Sequence, residues 1–179
     1  MEVTKFDVEG PLLLTPRVFA DHRGFFMEAY NRRVFIELGI KDEFVQDNHS
    51  KSVKGTLRGL HYQVNRWQGK LVRCIAGEIW DVAVDIRPNS PTFGQSVSAT
   101  LSGENKQMLW VPVGFAHGFQ VTSDTAEVIY KCTDYWSPQD ERGVIWSDPQ
   151  LGLNWPDTEN AVLSDKDLVH PLFKDLQLD

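Results

Sequence analysis

A small set of side chains with acid–base potential is spread over three β-rich segments of the sequence. Arg58 and His61 lie in TLRGLHYQ, Lys70 follows in QGKLVRC, and His117 closes the turn-like stretch PVGFAH. Imidazole accepts protons near neutral pH, and an ammonium group stabilises negative charge that develops on a carbonyl oxygen. Together these side chains predict proton transfer on an anionic or carbonyl substrate. Taken alone, His117 is also compatible with a structural histidine after a β-turn.

The elements that must position these residues are short strands. The middle of the chain is a series of β-rich runs separated by Gly, Pro, Asn and Asp, with SGEN and TSDT as candidate hairpin turns. Two peripheral helices are expected, one in RRVFIELGI, which ends at Gly39, and one in SDKDLVHPLF, which starts at Ser164. Many strands with few helices predict a mostly β fold, an antiparallel jelly-roll barrel, as one domain over residues 1–179.

Two motifs resemble the signatures of the cupin superfamily of small jelly-roll barrels. PVGFAHGF has the P-x-G-x-x-H pattern of the second signature, and Gly55 to His61 matches the start of the first. At the positions of the second histidine and the glutamate that would complete a metal site, this sequence has Gln63 and Lys70. Because an ammonium group repels a divalent cation, we expect no metal and a metal-free acid–base pocket.

Composition and charge limit the classes of molecule that this protein is expected to bind. The formal net charge of −7 argues against nucleic-acid binding and against anionic membranes, so an anionic small molecule would require a local cluster of basic residues. Cys74 and Cys132 have no CxxC spacing and are expected to be a reduced pair. The first residues lack an apolar signal core and no run is long enough to span a membrane, which predicts a cytoplasmic protein.

Eight motifs in order resemble the dTDP-4-dehydrorhamnose 3,5-epimerase family, over about Phe19 to Pro171. They are DHRGFF, VQDNHS, LRGLH, QGKLVRC, DVAVDIR, SPTFGQ, PVGFAHGF and IYKCTDYWSP. The resemblance implies inversion of C3 and C5 of a dTDP-4-keto-6-deoxy sugar, without a cofactor, on the way to dTDP-rhamnose. It also implies a homodimer in which an N-terminal strand crosses to the partner, and FDVEGPLLLTPRVF is the candidate segment.

The resemblance also implies catalytic roles for four residues. His61 removes protons beside the C4 ketone, Asp167 holds the required tautomer of His61, Lys70 faces the enolate oxygen, and Tyr130 returns a proton from the opposite face. Considered without the resemblance, Tyr130 would be a barrel-wall aromatic, Asp167 a helix N-terminal carboxylate and Lys70 an exposed strand lysine.

Nine further positions match the substrate-binding residues of the family, and a tenth, Trp136, departs from its pattern. The arginines suit a diphosphate, and Trp136 stands where a tyrosine is usual, which keeps a face for stacking on thymine. Glu28, Glu141 and Lys166 are also compatible with ordinary surface charge. The full set is Arg23, Glu28, Gln46, Asp47, Asn48, Arg58, His117, Trp136, Glu141 and Lys166.

Three alternatives remain open from the sequence. A sibling enzyme that inverts only C3 or only C5 would use the same residues. A metal-dependent cupin enzyme is disfavoured by Gln63 and Lys70. A non-catalytic sugar-nucleotide-binding barrel would require a base, a carboxylate, a lysine and an acid to coincide by chance.

Arg58 and His61 also pose a geometric question, because side chains three positions apart on a regular strand point to opposite faces. Gly59 lies between them, and glycine is where a strand most easily bulges. We therefore predict a bulge or strand entry at Gly59, with Arg58 directed to the diphosphate while His61 and Gln63 face the barrel interior.

Overall fold

The computed structural model describes residues 1–178 and consists mainly of short strands. One helix, α1 (Arg32–Glu37), follows the fourth strand, and a 3-10 helix (Phe173–Asp175) lies near the end of the chain. The strands in chain order are β1 (Glu2–Lys5), β2 (Leu12–Thr15), β3 (Val18–Asp21), β4 (Gly24–Met27), β5 (Gln46–Val53), β6 (Leu57–Gln63), β7 (Lys70–Ala76), β8 (Glu78–Asp85), β9 (Ser96–Ser102), β10 (Met108–Val111), β11 (Phe115–Val121), β12 (Thr125–Cys132) and β13 (Glu141–Gly143).

Two antiparallel sheets form the body of the fold. Six strands pair in the order β1-β2-β10-β7-β12-β5, and five pair in the order β13-β6-β11-β8-β9. Strands β3 and β4 form a separate hairpin. The connections SGEN and TSDT pass from one sheet to the other, so their prediction as hairpin turns is wrong. The mostly β jelly-roll architecture expected from the sequence is confirmed.

Apolar residues pack in three layers, one between the sheets and one on the outer side of each. Strand β8 contributes to two of these layers. Ala83 packs between the sheets, whereas Val82 and Val84 pack on the outside in a cluster that includes Trp155 and Phe173. The alternation of side chains along a strand therefore serves two separate cores. It also directs Asp81 and Asp85 to the same face as Ala83.

Helix α1 covers the outer side of the six-stranded sheet. The side chain of Asn31 caps it by accepting a hydrogen bond from the backbone N–H of Arg33, and Gly39, with a φ of +91°, follows its end. Phe35 of the helix packs with Leu14 of β2. This helix was predicted from the sequence and is confirmed.

The second predicted helix, in SDKDLVHPLF, is wrong. Residues 164–169 form a turn in which the N–H of Leu168 contacts the carbonyl oxygen of Ser164 at 3.3 Å. The turn does not continue as a helix, and Pro171 has no N–H to extend it. The predicted cap is present in part, because the N–H of Asp167 donates to Ser164 Oγ at 3.3 Å. The result is a short turn that presents Asp167 to the five-stranded sheet.

Cys74 and Cys132 are both buried and unpaired, in agreement with the expected reduced thiols. Within residues 1–178, no helix has the length and apolar character needed to cross a membrane.

Candidate active site

A polar cavity opens between the two sheets. Its two lobes hold about 350 and 300 Å³, and both are lined by His61, Lys70, Tyr130 and Glu141. The four shared side chains make the lobes one continuous site. His61, Lys70 and Tyr130 are three of the four residues predicted to be catalytic. The remaining predicted catalytic residue, Asp167, lines the second lobe.

The predicted base and acid enter this cavity from opposite sheets. His61 lies on β6 of the five-stranded sheet, whereas Tyr130 on β12 and Lys70 on β7 belong to the six-stranded sheet. A flat ring bound between the sheets would therefore meet imidazole on one face and phenol on the other. This is the arrangement that an inversion by proton transfer requires.

A break in register at Gly59 brings Arg58 and His61 to the same lobe. Along the β6–β11 ladder, Arg58 pairs with Phe119 and His61 pairs with His117, so β6 has one residue more than β11 between these pairs. An extra residue resets the alternation of side chains. Gly59 has a φ of +126°, and the peptide bond that follows it is cis. The predicted bulge is confirmed, and both side chains line the second lobe.

His61 and Asp167 form a hydrogen-bonded dyad. His61 Nε2 lies 2.6 Å from Asp167 Oδ1, and Ser164 Oγ donates to Asp167 Oδ2 at 2.8 Å. Burial alone would raise the pKa of Asp167, but contacts with His170, His61 and Ser164 hold that pKa far below its usual range. A permanently ionised carboxylate favours the tautomer of His61 with hydrogen on Nε2. Nδ1 of His61 is then left with a free lone pair.

Burial sets the protonation of His61. Desolvation lowers its pKa, and the hydrogen bond and charge of Asp167 oppose this only in part. The imidazole is therefore neutral and able to accept a proton at neutral pH.

Lys70 and Tyr130 also respond mainly to burial. Desolvation lowers the pKa of the Lys70 ammonium, and this decrease is partly offset by the charges of Cys132, Glu141 and Asp81. Desolvation raises the pKa of the Tyr130 phenol, which therefore keeps its proton at neutral pH. A protonated phenol facing a neutral imidazole is an acid and base poised in the same cavity.

His117 contacts a buried carboxylate that the sequence analysis did not identify. His117 Nε2 lies 2.9 and 3.0 Å from the two oxygens of Asp81, whose side chain has no exposed surface. Burial raises the pKa of Asp81, and His117 opposes that change. The signal was present in the sequence, because an aspartate in the apolar run of β8 needs a buried partner.

The first lobe is bordered by a chain of polar contacts. Gln46 Oε1 accepts from the backbone N–H of Trp136 at 2.9 Å, and the indole N–H of Trp136 reaches Glu141 at 3.4 Å. Glu141 in turn forms a 2.5 Å ion pair with Lys166. Trp136 is 55% exposed, so its indole face is open to a planar ligand at the mouth. Asn48 lines the same lobe.

Arg58 provides positive charge in the second lobe. Its guanidinium donates to Ser52 Oγ at 3.2 and 3.4 Å. Among residues 1–178, no carboxylate lies within ion-pair distance of Arg58. An anion can therefore bind there without first displacing an internal carboxylate.

Three predicted binding residues lie outside this cavity. Arg23 forms a 2.6 Å ion pair with Asp21 on the β3–β4 hairpin and is 79% exposed at its side chain. Glu28 accepts a hydrogen bond from Asn31 at 3.2 Å. Asp47 alternates with Gln46 and Asn48 on β5 and pairs on the other face of the strand with Lys131, at 2.9 Å.

Two groups that contact Asp167 are absent from the sequence-based prediction. They are Ser164, which lines the second lobe, and His170, which lies behind Asp167; both belong to the segment predicted as a helix, which hides their convergence on a strand histidine. His61, Asp167 and His170 have potential ligand atoms within 4.8 Å of one another, the one grouping of this kind among residues 1–178. Two ligand atoms of one tetrahedral zinc ion are about 3.3 Å apart, because each metal–ligand bond is about 2 Å long. His61 Nε2 and Asp167 Oδ1 are closer than this, at 2.6 Å.

Fold and cavity together define a jelly-roll protein with an acid–base site between its sheets. A family model described as dTDP-4-dehydrorhamnose 3,5-epimerase matches residues 5–175. The chain is 56% identical over 177 residues to the dTDP-4-dehydrorhamnose 3,5-epimerase of Shigella flexneri, covering 98% of this chain and 97% of that protein. It is 53% identical over 176 residues to the enzyme of the same name from Pseudomonas aeruginosa, with coverage of 98% and 97%.

Solved structures agree with the sequence comparisons. The crystal structure of dTDP-6-deoxy-D-glucose-3,5-epimerase from Legionella pneumophila, in complex with dTDP-4-keto-L-rhamnose, has a TM-score of 0.96 and 49% sequence identity. The match covers 98% of this chain and 94% of that one. The chain belongs to the dTDP-4-dehydrorhamnose 3,5-epimerase family, whose members are isomerases.

Proposed function

We propose that this protein inverts both C3 and C5 of dTDP-4-dehydro-6-deoxy-D-glucose, by proton transfer beside the C4 ketone. The observation that carries the proposal is the placement of His61 and Tyr130 on opposite sheets, facing one cavity that also contains Lys70. The names of the relatives at 53–56% identity, and the keto sugar in the Legionella pneumophila complex, support the same substrate.

The chemistry follows from the state of each side chain. His61 accepts the proton from the carbon next to the ketone on Nδ1, since Nε2 is held by Asp167. The electron pair of the broken C–H bond moves to the ketone oxygen as an enolate, which the Lys70 ammonium stabilises. Tyr130 then donates its phenolic proton to the other face of the same carbon. The inversion leaves His61 protonated and Tyr130 ionised, so both must exchange protons with water before the next inversion.

The nucleotide is held by the remaining polar residues of the cavity. The guanidinium of Arg58 binds the diphosphate, and the Trp136 indole stacks on thymine. Two observations support these roles: Arg58 has no carboxylate within ion-pair distance among residues 1–178 and donates only to the neutral Ser52, and Trp136 is exposed. Gln46, Asn48, Glu141, Lys166 and His117 complete the polar lining.

The placement of Arg23 and Glu28 supports a homodimer. Both lie on or beside the β3–β4 hairpin, away from the cavity of their own chain. That hairpin exposes Phe19, Phe25 and Phe26, at 52%, 52% and 70%. An apolar hairpin of this kind fits a protein interface. In the proposed dimer the hairpin packs on the partner subunit and brings Arg23 to the partner's cavity.

The test is nuclear magnetic resonance of the keto sugar incubated with the protein in D₂O. Double epimerisation predicts deuterium at both C3 and C5, with His61→Asn as the control that should incorporate none beyond the uncatalysed rate. Label at a single carbon would identify a single-centre epimerase instead. Unchanged substrate, with dTDP still bound, would indicate a binding protein and overturn the proposal.

A further inference from the structure

A second histidine is packed against the His61–Asp167 dyad. The side chain of His170 is 10% exposed, and its ring meets the ring of His61 edge-on, with centroids 5.5 Å apart and planes inclined by 77°. His170 Nε2 lies 3.5 Å from Asp167 Oδ1, the oxygen that also contacts His61. One carboxylate oxygen therefore faces two imidazoles.

Gly143 makes the room for this second ring. A Cβ atom added at Gly143 would lie 2.4 Å from both Cε1 and Nε2 of His170, so any side chain there would displace the imidazole. Gly143 is also the residue opposite His61 in the β13–β6 ladder. The backbone next to His170 is anchored as well, because Ile145 N donates to the carbonyl oxygen of Pro171 at 2.8 Å. The position of the ring is thus defined from three sides.

The polar edge of His170 is buried without a hydrogen bond in residues 1–178. Its Nε2 has no hydrogen-bond partner, and its 3.5 Å contact with Asp167 Oδ1 is longer than an ordinary hydrogen bond. A buried nitrogen without a partner is unfavourable, and an apolar ring would fill the same slot without that cost. Hydrogen bonds among catalytic groups are often long in a ligand-free site and shorten when substrate binds.

We propose that His170 is a positioning residue, which donates its Nε2–H to Asp167 Oδ1 when the cavity is occupied and so keeps that carboxylate aligned with His61. The inference rests on the proposed function, since it concerns the base of that reaction. It assigns His170 no contact with substrate. Its effect reaches the reaction through Asp167 alone.

The proposal predicts a direction for the titration of His61. Without the donor from His170, the carboxylate of Asp167 becomes a stronger acceptor for the proton of His61, and the pKa of His61 rises. The other charged groups that face His61 are unaltered by a change at His170. They are Lys70 on β7, Lys166 in the 164–169 turn and Glu141 on β13.

The experiment compares His170→Phe, which keeps a ring without a donor, with His170→Gln, whose amide nitrogen replaces Nε2. For His170→Phe we expect kcat to fall about 10-fold, and the acid limb of kcat, which reports the substrate complex, to move up by about half a pH unit. Affinity for dTDP should stay within about two-fold. His170→Gln should recover most of kcat and the original acid limb. Gly143→Ala, which displaces the ring, should behave as His170→Phe does.

Imidazole resonances of the ligand-free and dTDP-bound protein give a readout that does not depend on turnover. The chain has five histidines, so the titration of His61 can be followed in each variant. Wild-type kcat and an unshifted His61 titration in the dTDP-bound His170→Phe variant would overturn the inference. Equal loss of kcat in the Phe and Gln variants, with unshifted titration, would assign His170 to packing and overturn it too. If wild type catalyses no exchange, the proposed function fails, while the His61 titration still decides this inference.

Discussion

Tyr130 reaches the cavity from the six-stranded sheet with its phenol protonated, because burial raises its pKa. Replacing it with Phe removes the donor but leaves His61 able to take a proton and return it to the same face. We expect Tyr130→Phe to lower net epimerisation about 100-fold, while exchange of the substrate hydrogens with D₂O falls much less. Deuterium incorporation and product formation, measured on one sample by nuclear magnetic resonance, separate the two steps. Parallel loss of both would contradict an acid role for Tyr130.

The burial of His61 predicts the pH dependence of the reaction. Desolvation lowers the pKa of His61 below the ordinary value for histidine of about 6.5, so the base stays neutral as the medium becomes mildly acidic. The acid limb of kcat/KM reports the free enzyme, and we expect it below pH 6.5. Circular dichroism over the same pH range controls for unfolding. An acid limb at or above pH 6.5 would show that Asp167 raises the pKa of His61 by more than burial lowers it.

At the scale of single residues, the family resemblance rather than local pattern indicates the four proposed acid–base residues, and neither indicates the groups beside them. His61, Lys70 and Tyr130 lie in motifs that resemble the family, and all three line the cavity. Asp81 contacts His117 and His170 packs against His61 although each pair is far apart in the chain, and only the folded arrangement brings them together. Contacts between distant segments are set by sheet pairing, which local periodicity does not specify.

The strand elements show where a local rule decides a functional geometry. Regular alternation would have separated Arg58 from His61, and the extra residue at Gly59 removes that separation. Opposite it, Gly118 allows the two backbones to approach closely. A Cβ atom at Gly59 would lie 2.6 Å from the Cα of Gly118 and 2.8 Å from the carbonyl oxygen of His117.

We therefore expect Gly59→Ala to destabilise the fold by about 2 kcal/mol or more and to abolish activity. Backbone atoms cannot yield as the end of a flexible side chain does, so the ladder that carries His61 must shift. Gly24→Ala is the matched control for stability, because Gly24 has a φ of +129° but no atom within 4 Å of its added Cβ. Urea denaturation of both variants measures the difference. Equal destabilisation would mean that φ alone, rather than the contact with β11, matters.

The incorrect helix prediction for 164–173 has a physical cause at the same scale. Ser164 and the apolar residues that follow satisfy the pattern of a capped helix, and the first hydrogen bonds do form. Tertiary contacts then take over: Asp167 bonds to His61, and the side chain of Phe173 is buried in the outer core. Helical propensity over so few residues is weak compared with such contacts.

At the scale of the whole molecule, the two sheets form the two opposite walls of one cavity. The proposed acid and the proposed base are held by different sheets, so the packing between the sheets sets their separation. The sequence indicated the sheets through alternation, but it did not indicate which residues would lie outside the cavity of their own chain. Arg23 is the clearest example, since it lies on an exposed hairpin and pairs with Asp21 rather than lining the cavity.

The proposed dimer makes a quantitative prediction. If Arg23 of one subunit completes the cavity that contains His61 of the other, then Arg23→Ala and His61→Asn damage different halves of each site. Each variant alone should be strongly impaired. After mixing and subunit exchange, half of the dimers combine both variants, and each of these has one intact site. Activity should therefore recover to roughly a quarter of the wild-type value.

The measurement is net epimerisation by the mixture before and after subunit exchange, because Tyr130→Phe is expected to keep hydrogen exchange with D₂O. Light scattering confirms a mass of two chains. Mixing His61→Asn with Tyr130→Phe is the matched control, because both residues line the cavity of the same chain and their mixed dimer contains no intact site. No recovery in the first mixture, with dimers that do exchange, would place Arg23 outside the partner's site. Recovery in the first mixture alone would show that the active site is complete only in the dimer.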